Sequence, residues 1–95
     1  MTVMPLPILV LGDALMDCIA QPNGQLQPLM GGSPFNMARA AALRGASVAY
    51  LNPLSTDLFG QAMARQLQHD GVALPGSTSP MPTSLAVVQL QDGQP

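Results

Sequence analysis

Apolar residues fall along the chain in three rhythms. Residues 6–11 form a nearly continuous apolar run, broken only by Pro7 and ended by Gly12, and residues 46–51 form a second, ended by Asn52-Pro53. Such runs predict strands buried on both faces, as in parallel sheets. Residues 18–30 instead alternate loosely, with Ile19, Leu26 and Leu29 set around Pro22-Asn23-Gly24. Asn-Gly is a strong hairpin signal, so two short strands outside the main sheet are expected there. Two further stretches have helical character. The first opens at Gly31-Gly32-Ser33-Pro34, with Ser33 as N-cap and Pro34 at the first helical position, and runs through an alanine-rich body to about Arg44 before stopping at Gly45. The second is capped by Asp57, spans residues 58–70 with Phe59, Ala62, Met63 and Leu67 as its buried stripe, and stops at Gly71. A loop rich in Pro, Ser and Thr (residues 75–82) leads to a third strand over residues 85–91, followed by the hairpin signal Asp92-Gly93.

The order strand, hairpin, helix, strand, helix, strand reads as an α/β fold, in which a crossover places the first two long strands parallel. The hairpin is inserted at the carboxyl end of the first strand, the end of a parallel sheet where ligands bind. The turn at Asp92-Gly93 has no returning strand in the sequence, and no proline or charge in residues 85–91 protects that edge. The chain is therefore expected to be one part of a larger domain.

Composition narrows the function classes. Hydrophobic residues make up 47% and charged residues 8%, the opposite of a disordered tail. Every acid is Asp, and the three Lys or Arg residues are all Arg. A phosphate loop ending in Lys-Ser/Thr and an HExxH zinc motif are thus both excluded. A net charge of −2 offers no basic patch for nucleic acid. The single cysteine, Cys18, forms no internal disulfide and reads as a small packed side chain, and no apolar run approaches a membrane span. The N-terminal residues carry two prolines and no basic side chain, unlike a signal peptide, so a cytoplasmic protein is expected.

Three clusters converge on the carboxyl edge of the predicted sheet. In Gly12-Asp13-Ala14-Leu15-Met16-Asp17 an aspartate could hold two neighbouring sugar hydroxyls, although alone either aspartate reads as a turn cap. In Gly31-Gly32-Ser33-Pro34-Phe35-Asn36 paired glycines let a ligand approach backbone N–H groups at a helix N-terminus, and Asn36 adds a donor and an acceptor. The glycine spacing is not that of a dinucleotide fingerprint. In Ser55-Thr56-Asp57-Leu58-Phe59-Gly60, Asp57 reads as a helix cap and Gly60 as a sign of close packing. His69 beside Asp70 reads as a solvated residue at a helix end, and the seven methionines as fillers of core or interface gaps.

Taken together, Gly-Asp-x-x-x-Asp, then Gly-Gly-x-x-x-Asn opening an alanine-rich helix, then Ser-x-Asp-x-Phe-Gly resemble the ribokinase-like, or PfkB-type, carbohydrate kinases, with fructokinase-like members most similar. The resemblance covers essentially the whole chain. It departs from the family pattern at Asn52-Pro53-Leu54, where many members carry glycine.

This resemblance implies the N-terminal part of a three-layer α/β/α fold with a small β lid, residues 1–95 forming a partial kinase domain and residues 18–30 and 85–95 supplying lid strands. It implies that Asp17 and Asn36 contact the sugar and that Gly31 and Gly32 let it sit against the backbone. ATP and Mg²⁺ are implied as cofactors of the full-length enzyme. The catalytic base, the nucleotide site and any metal site are implied to lie outside this chain, which is then expected to be inactive alone. Implied partners are a small sugar, the C-terminal half of the kinase and a second copy through the lid, with no nucleic acid and no membrane. A nucleoside kinase of the same fold, or a non-catalytic sugar-binding or interaction module, are the alternative readings.

Overall fold

The computed structural model describes residues 6–90. Its elements follow in the order β1 (Ile8–Val10), β2 (Leu15–Ala20), β3 (Leu26–Gly31), α1 (Ser33–Leu43), β4 (Val48–Tyr50), α2 (Leu58–His69) and β5 (Ser84–Val88). The expected parallel pair is β1 with β4, in the register Ile8↔Val48, Leu9↔Ala49 and Val10↔Tyr50. A single parallel bridge from Ala49 to Ala73 continues this sheet past β4. The hairpin strands form a second sheet in the order β3-β2-β5, with β2 antiparallel to β3 and parallel to β5. The third strand, expected over residues 85–91, ends at Val88, while Gln91 and Asp92-Gly93 lie outside the described residues.

The core gathers Val10, Phe35, Ala38, Val48, Tyr50, Met63, Leu67 and Val72, and Met16 and Cys18 root the second sheet in it. Burial on both faces holds for β4, all three residues of which are buried. It does not hold for β1, where Leu9 is 59% exposed and only Val10 is buried. The reason is position: β4 lies between β1 and Ala73, whereas β1 has a paired neighbour on one side only among the described residues. The buried stripe of α2 is Gly60, Met63 and Leu67, so Gly60 takes the place expected for Phe59, which is half-buried.

Helix ends correct the expected start of α1 by one residue, for both its N-cap and Pro34, and end α2 at His69 rather than Asp70. The N-cap of α1 is Gly32 rather than Ser33, and no side chain caps it. Ser33 and Pro34 are its first two helical residues, and the Asn36 N–H donates to the Gly32 carbonyl at 3.0 Å. Both helices stop at the expected glycines in the same Schellman pattern. Gly45 and Ala46 donate to Ala42 and Ala41, and Gly71 and Val72 donate to Gln68 and Leu67. An ion pair of Arg39 with Asp70, whose side chain is 4% exposed, ties α1 to the end of α2, and the Arg39 guanidinium holds the Asp70 carboxyl below its ordinary range.

Asp57 does more than cap α2. Its Oδ1 accepts from the Gly60 N–H at 2.8 Å and from the Thr83 hydroxyl at 2.6 Å, while Oδ2 accepts from the Thr83 N–H at 2.7 Å. One carboxylate thereby joins the start of α2 to the residue before β5. These donors, the Thr83 hydroxyl first, lower its pKa from 3.8 to about 2. The close packing expected at Gly60 is present as well, since a Cβ there would collide with the Ser55 carbonyl.

Two outcomes follow for stability. The unfolded chain binds a proton at residue 57 at higher pH than the folded chain does, so the contribution of Asp57 is present above the ordinary carboxylate pKa of 3.8 and is lost as pH falls towards about 2. Thermal melts between these limits should fall less steeply for Asp57→Asn, and parallel curves for the two proteins would remove Asp57 from the acid transition. Gly60→Ala should destabilise by about 1–3 kcal/mol through overpacking against the Ser55 backbone, read by urea denaturation.

Candidate functional site

The site is built where the chain crosses itself between the two sheets. After β1 it passes through Gly12 and Asp13 into β2, and it returns along β3 to Gly31-Gly32 and the first turn of α1. The crossing is close. A Cβ on Gly32, whose φ is +99°, would meet the Asp13 carbonyl, and a Cβ on Gly31 would occupy the space of the Asp17 carboxylate. Asp17 thus leans diagonally over β3, two positions beyond its register partner Leu29.

The structure therefore brings Asp17 and Gly31 into contact, and Asp13 and Gly32. Asn36 stands four residues on from Gly32 in the first turn of α1, with its side chain exposed. The four aspartates among the described residues divide into two pairs. Asp57 and Asp70 have their oxygens taken up by Thr83, Gly60, Arg39 and Gln66. The side-chain hydrogen bonds of the described residues leave out Asp13, Asp17 and the Asn36 amide, so their acceptors and donors are available to a ligand.

Sequence reasoning missed two residues that shape this crossing. The Asn52 Oδ1 accepts from the Gly12 N–H at 2.8 Å, and the Tyr50 hydroxyl donates to the Gly12 carbonyl. Tyr50 is almost completely buried, and burial, with the charge of Asp13 adding to it, pushes its pKa up to about 12. The only signal in the sequence is that a polar residue follows a buried strand at the ligand-binding end of a parallel sheet. Thr83 was likewise not singled out as a partner of Asp57.

A cavity of about 180 Å³ opens beside the crossing. It is walled by Asp13, by Asn52 and Ser55 after β4, and by Ser79, Thr83 and Ser84 at the approach to β5. Asp17, Gly31, Gly32 and Asn36 do not line it. Among the described residues no three His, Cys, Asp or Glu side chains converge to hold a metal ion. With no lysine in the chain, a phosphate loop ending in Lys-Ser/Thr is ruled out. No helix of the described residues is long and apolar enough to cross a membrane.

Comparison with known proteins places this geometry. Fructokinase of Escherichia coli is 38% identical over 63 residues, covering 66% of this chain, and that of Salmonella typhimurium is 35% identical over the same share. The matched segment is 20% of the length of either relative. Among solved structures, fructokinase of Xylella fastidiosa with bound ATP is 30% identical at a TM-score of 0.81, over 93% of this chain and 30% of that one. Fructokinase of Vibrio cholerae O395 with fructose, ADP and calcium ion bound is 26% identical at 0.75, over 86% and 27%. An uncharacterized sugar kinase of Pyrococcus horikoshii, 22% identical, shares the fold at 0.74 over 88% and 32%. The mixed α/β architecture is that of the ribokinase-like sugar kinases. The profile described as pfkB family carbohydrate kinase matches residues 6–94, and the chain belongs to that family.

Proposed function

We propose that this chain is the sugar-binding portion of an ATP-dependent, fructokinase-type sugar kinase, in which Asp17 and Asn36 hold sugar hydroxyls and Gly31 and Gly32 let the ring lie against the backbone. The observation that supports this most is the contact of the Asp17 carboxylate with the Gly31 backbone, next to a helix N-terminus. An ionised carboxylate accepts from two neighbouring hydroxyls at once, and glycine at residue 31 leaves room for the Asp17 carboxylate to lie against β3. The bound ligands named for the Xylella and Vibrio fructokinases, ATP in one and fructose with ADP in the other, supply the substrate classes.

In this reading β2, β3 and β5 serve as a lid over the sugar and as a surface for a second copy. Residues 1–95 form part of one kinase domain in the cytoplasm, where ATP is available. Transfer of a phosphoryl group to a sugar oxygen requires a base for the hydroxyl proton and a site for the developing phosphate charge. Both are assigned to residues outside this chain, together with ATP and Mg²⁺. The part played by residues 1–95 is to bind and orient the acceptor alcohol.

Sugar binding to the full-length protein, followed by calorimetry with fructose, tests the assignment. Asp17→Ala should weaken binding by about 1.5–3 kcal/mol and Asn36→Ala by about 0.5–1.5 kcal/mol, as expected for charged and neutral hydrogen bonds. Unchanged affinity in either variant removes that residue from the site. Incubated alone with ATP, Mg²⁺ and fructose, the 95-residue chain should yield no phosphorylated sugar, and detecting one by mass spectrometry would overturn the division of labour.

A further inference from the structure

We propose that Tyr50 and Asn52 are positioning residues for the sugar, acting together as a clamp on Gly12; this rests on the sugar-kinase reading and extends it to two side chains that hold the Gly12 backbone. The sheet ladder between β1 and β4 ends at the bond from the Leu51 N–H to the Val10 carbonyl, at 2.9 Å. Beyond that point side chains from the end of β4 take over. Both backbone polar groups of Gly12 are held, the N–H by Asn52 and the carbonyl by Tyr50, across 40 and 38 residues of sequence.

The same residue is also packed against the opening of α1. A Cβ on Gly12 would strike the Pro34 ring in the first turn of α1, and the next carbonyl, that of Asp13, lies against Gly32. Gly12 is thus gripped from β4 and pressed against the opening of α1. A displacement of Gly12 is transmitted to Asp13 and Gly32 by direct contact, and through Pro34 to the turn that bears Asn36. An ordinary backbone ladder would hold this peptide whatever the side chains, whereas here one substitution releases either end. The pKa of about 12 keeps the Tyr50 hydroxyl a donor at any physiological pH.

The test uses the full-length protein with fructose and ATP, comparing Tyr50→Phe and Asn52→Leu with the wild type. Each variant removes one hydrogen bond while nearly preserving side-chain volume. Each should raise KM for fructose about three- to tenfold, the effect of losing one such bond, with kcat changed less than about twofold. A merely structural role would instead lower kcat in proportion to the inactive fraction and leave KM alone. Asn52→Asp, which keeps an acceptor for the Gly12 N–H, serves as the conservative variant and should lie closer to wild type in KM than Asn52→Leu. If the wild type phosphorylates fructose and both Tyr50→Phe and Asn52→Leu keep its KM, the clamp has no positioning role. If the wild type neither binds nor phosphorylates a sugar, the sugar-kinase reading fails and takes this inference with it.

Discussion

The Asp13 carbonyl lies where a side chain on residue 32 would have to begin, and the arrangement of both sheets depends on that crossing. Gly32 stands at a positive φ that other residues adopt only with strain, so two requirements meet at one position, backbone conformation and steric clearance. With glycine there, β3 turns directly into α1 beside the Asp13–Ala14 backbone. A larger residue would push the β1–β2 connection away from the helix and separate the two halves of the candidate site.

The second sheet is fixed along one row. Leu15, Gly31 and Ser84 are partners in register across β2, β3 and β5, and each lies at a tie to the body. Leu15 follows the clamped Gly12-Asp13 segment, Gly31 leads into α1, and Ser84 follows Thr83, which Asp57 holds through its N–H and hydroxyl. Among the described residues the other end of the sheet, towards Ala20 and Leu26, carries no comparable attachment and projects from the body. That projection accounts for the elongated shape, 60 × 31 × 19 Å, and for a radius of gyration of 15.3 Å against the ~13 Å usual for about 100 residues. A sheet anchored at one row and free at the other has the mechanical form of a flap, which is why a lid is the natural reading of it.

Features set by local chemistry were legible in the chain, and features set by distant partners were not. Gly45, Gly71 and the Asp57 cap follow from what a helix end requires within a few residues, and the structure places all three where expected. Asn23-Gly24 announced the hairpin for the same reason. Ser33 was misplaced as N-cap because its side chain is a good cap in isolation, while the backbone contact between Asp13 and Gly32 decides where the helix begins. The exposure of β1 could not be read from its apolar run, which records what a strand can bury rather than what is beside it. Tyr50 and Asn52 were illegible as a clamp since both bonds reach back about forty residues. Asp17, Gly31, Gly32 and Asn36 are singled out by the spacing of a motif, and the structure adds that Asp17 and Gly31 touch.

Charge allocation separates the two substrates of the proposed reaction. Of the three arginines, Arg39 is paired with Asp70, Arg44 follows α1 at an exposed position, and Arg65 is exposed on α2, so none is placed at the crossing. The free carboxylates there, Asp13 and Asp17, would repel a polyphosphate. A neutral polyol suffers no such repulsion and supplies the hydroxyl donors that carboxylates accept. In the proposed reaction, an edge composed of two aspartates, an asparagine and glycine backbone would discriminate by sign, suiting the alcohol that receives the phosphoryl group over the nucleotide that donates it. On that proposal the donor is held by positive charge or metal outside these residues, on a surface that faces the Asp17–Asn36 edge.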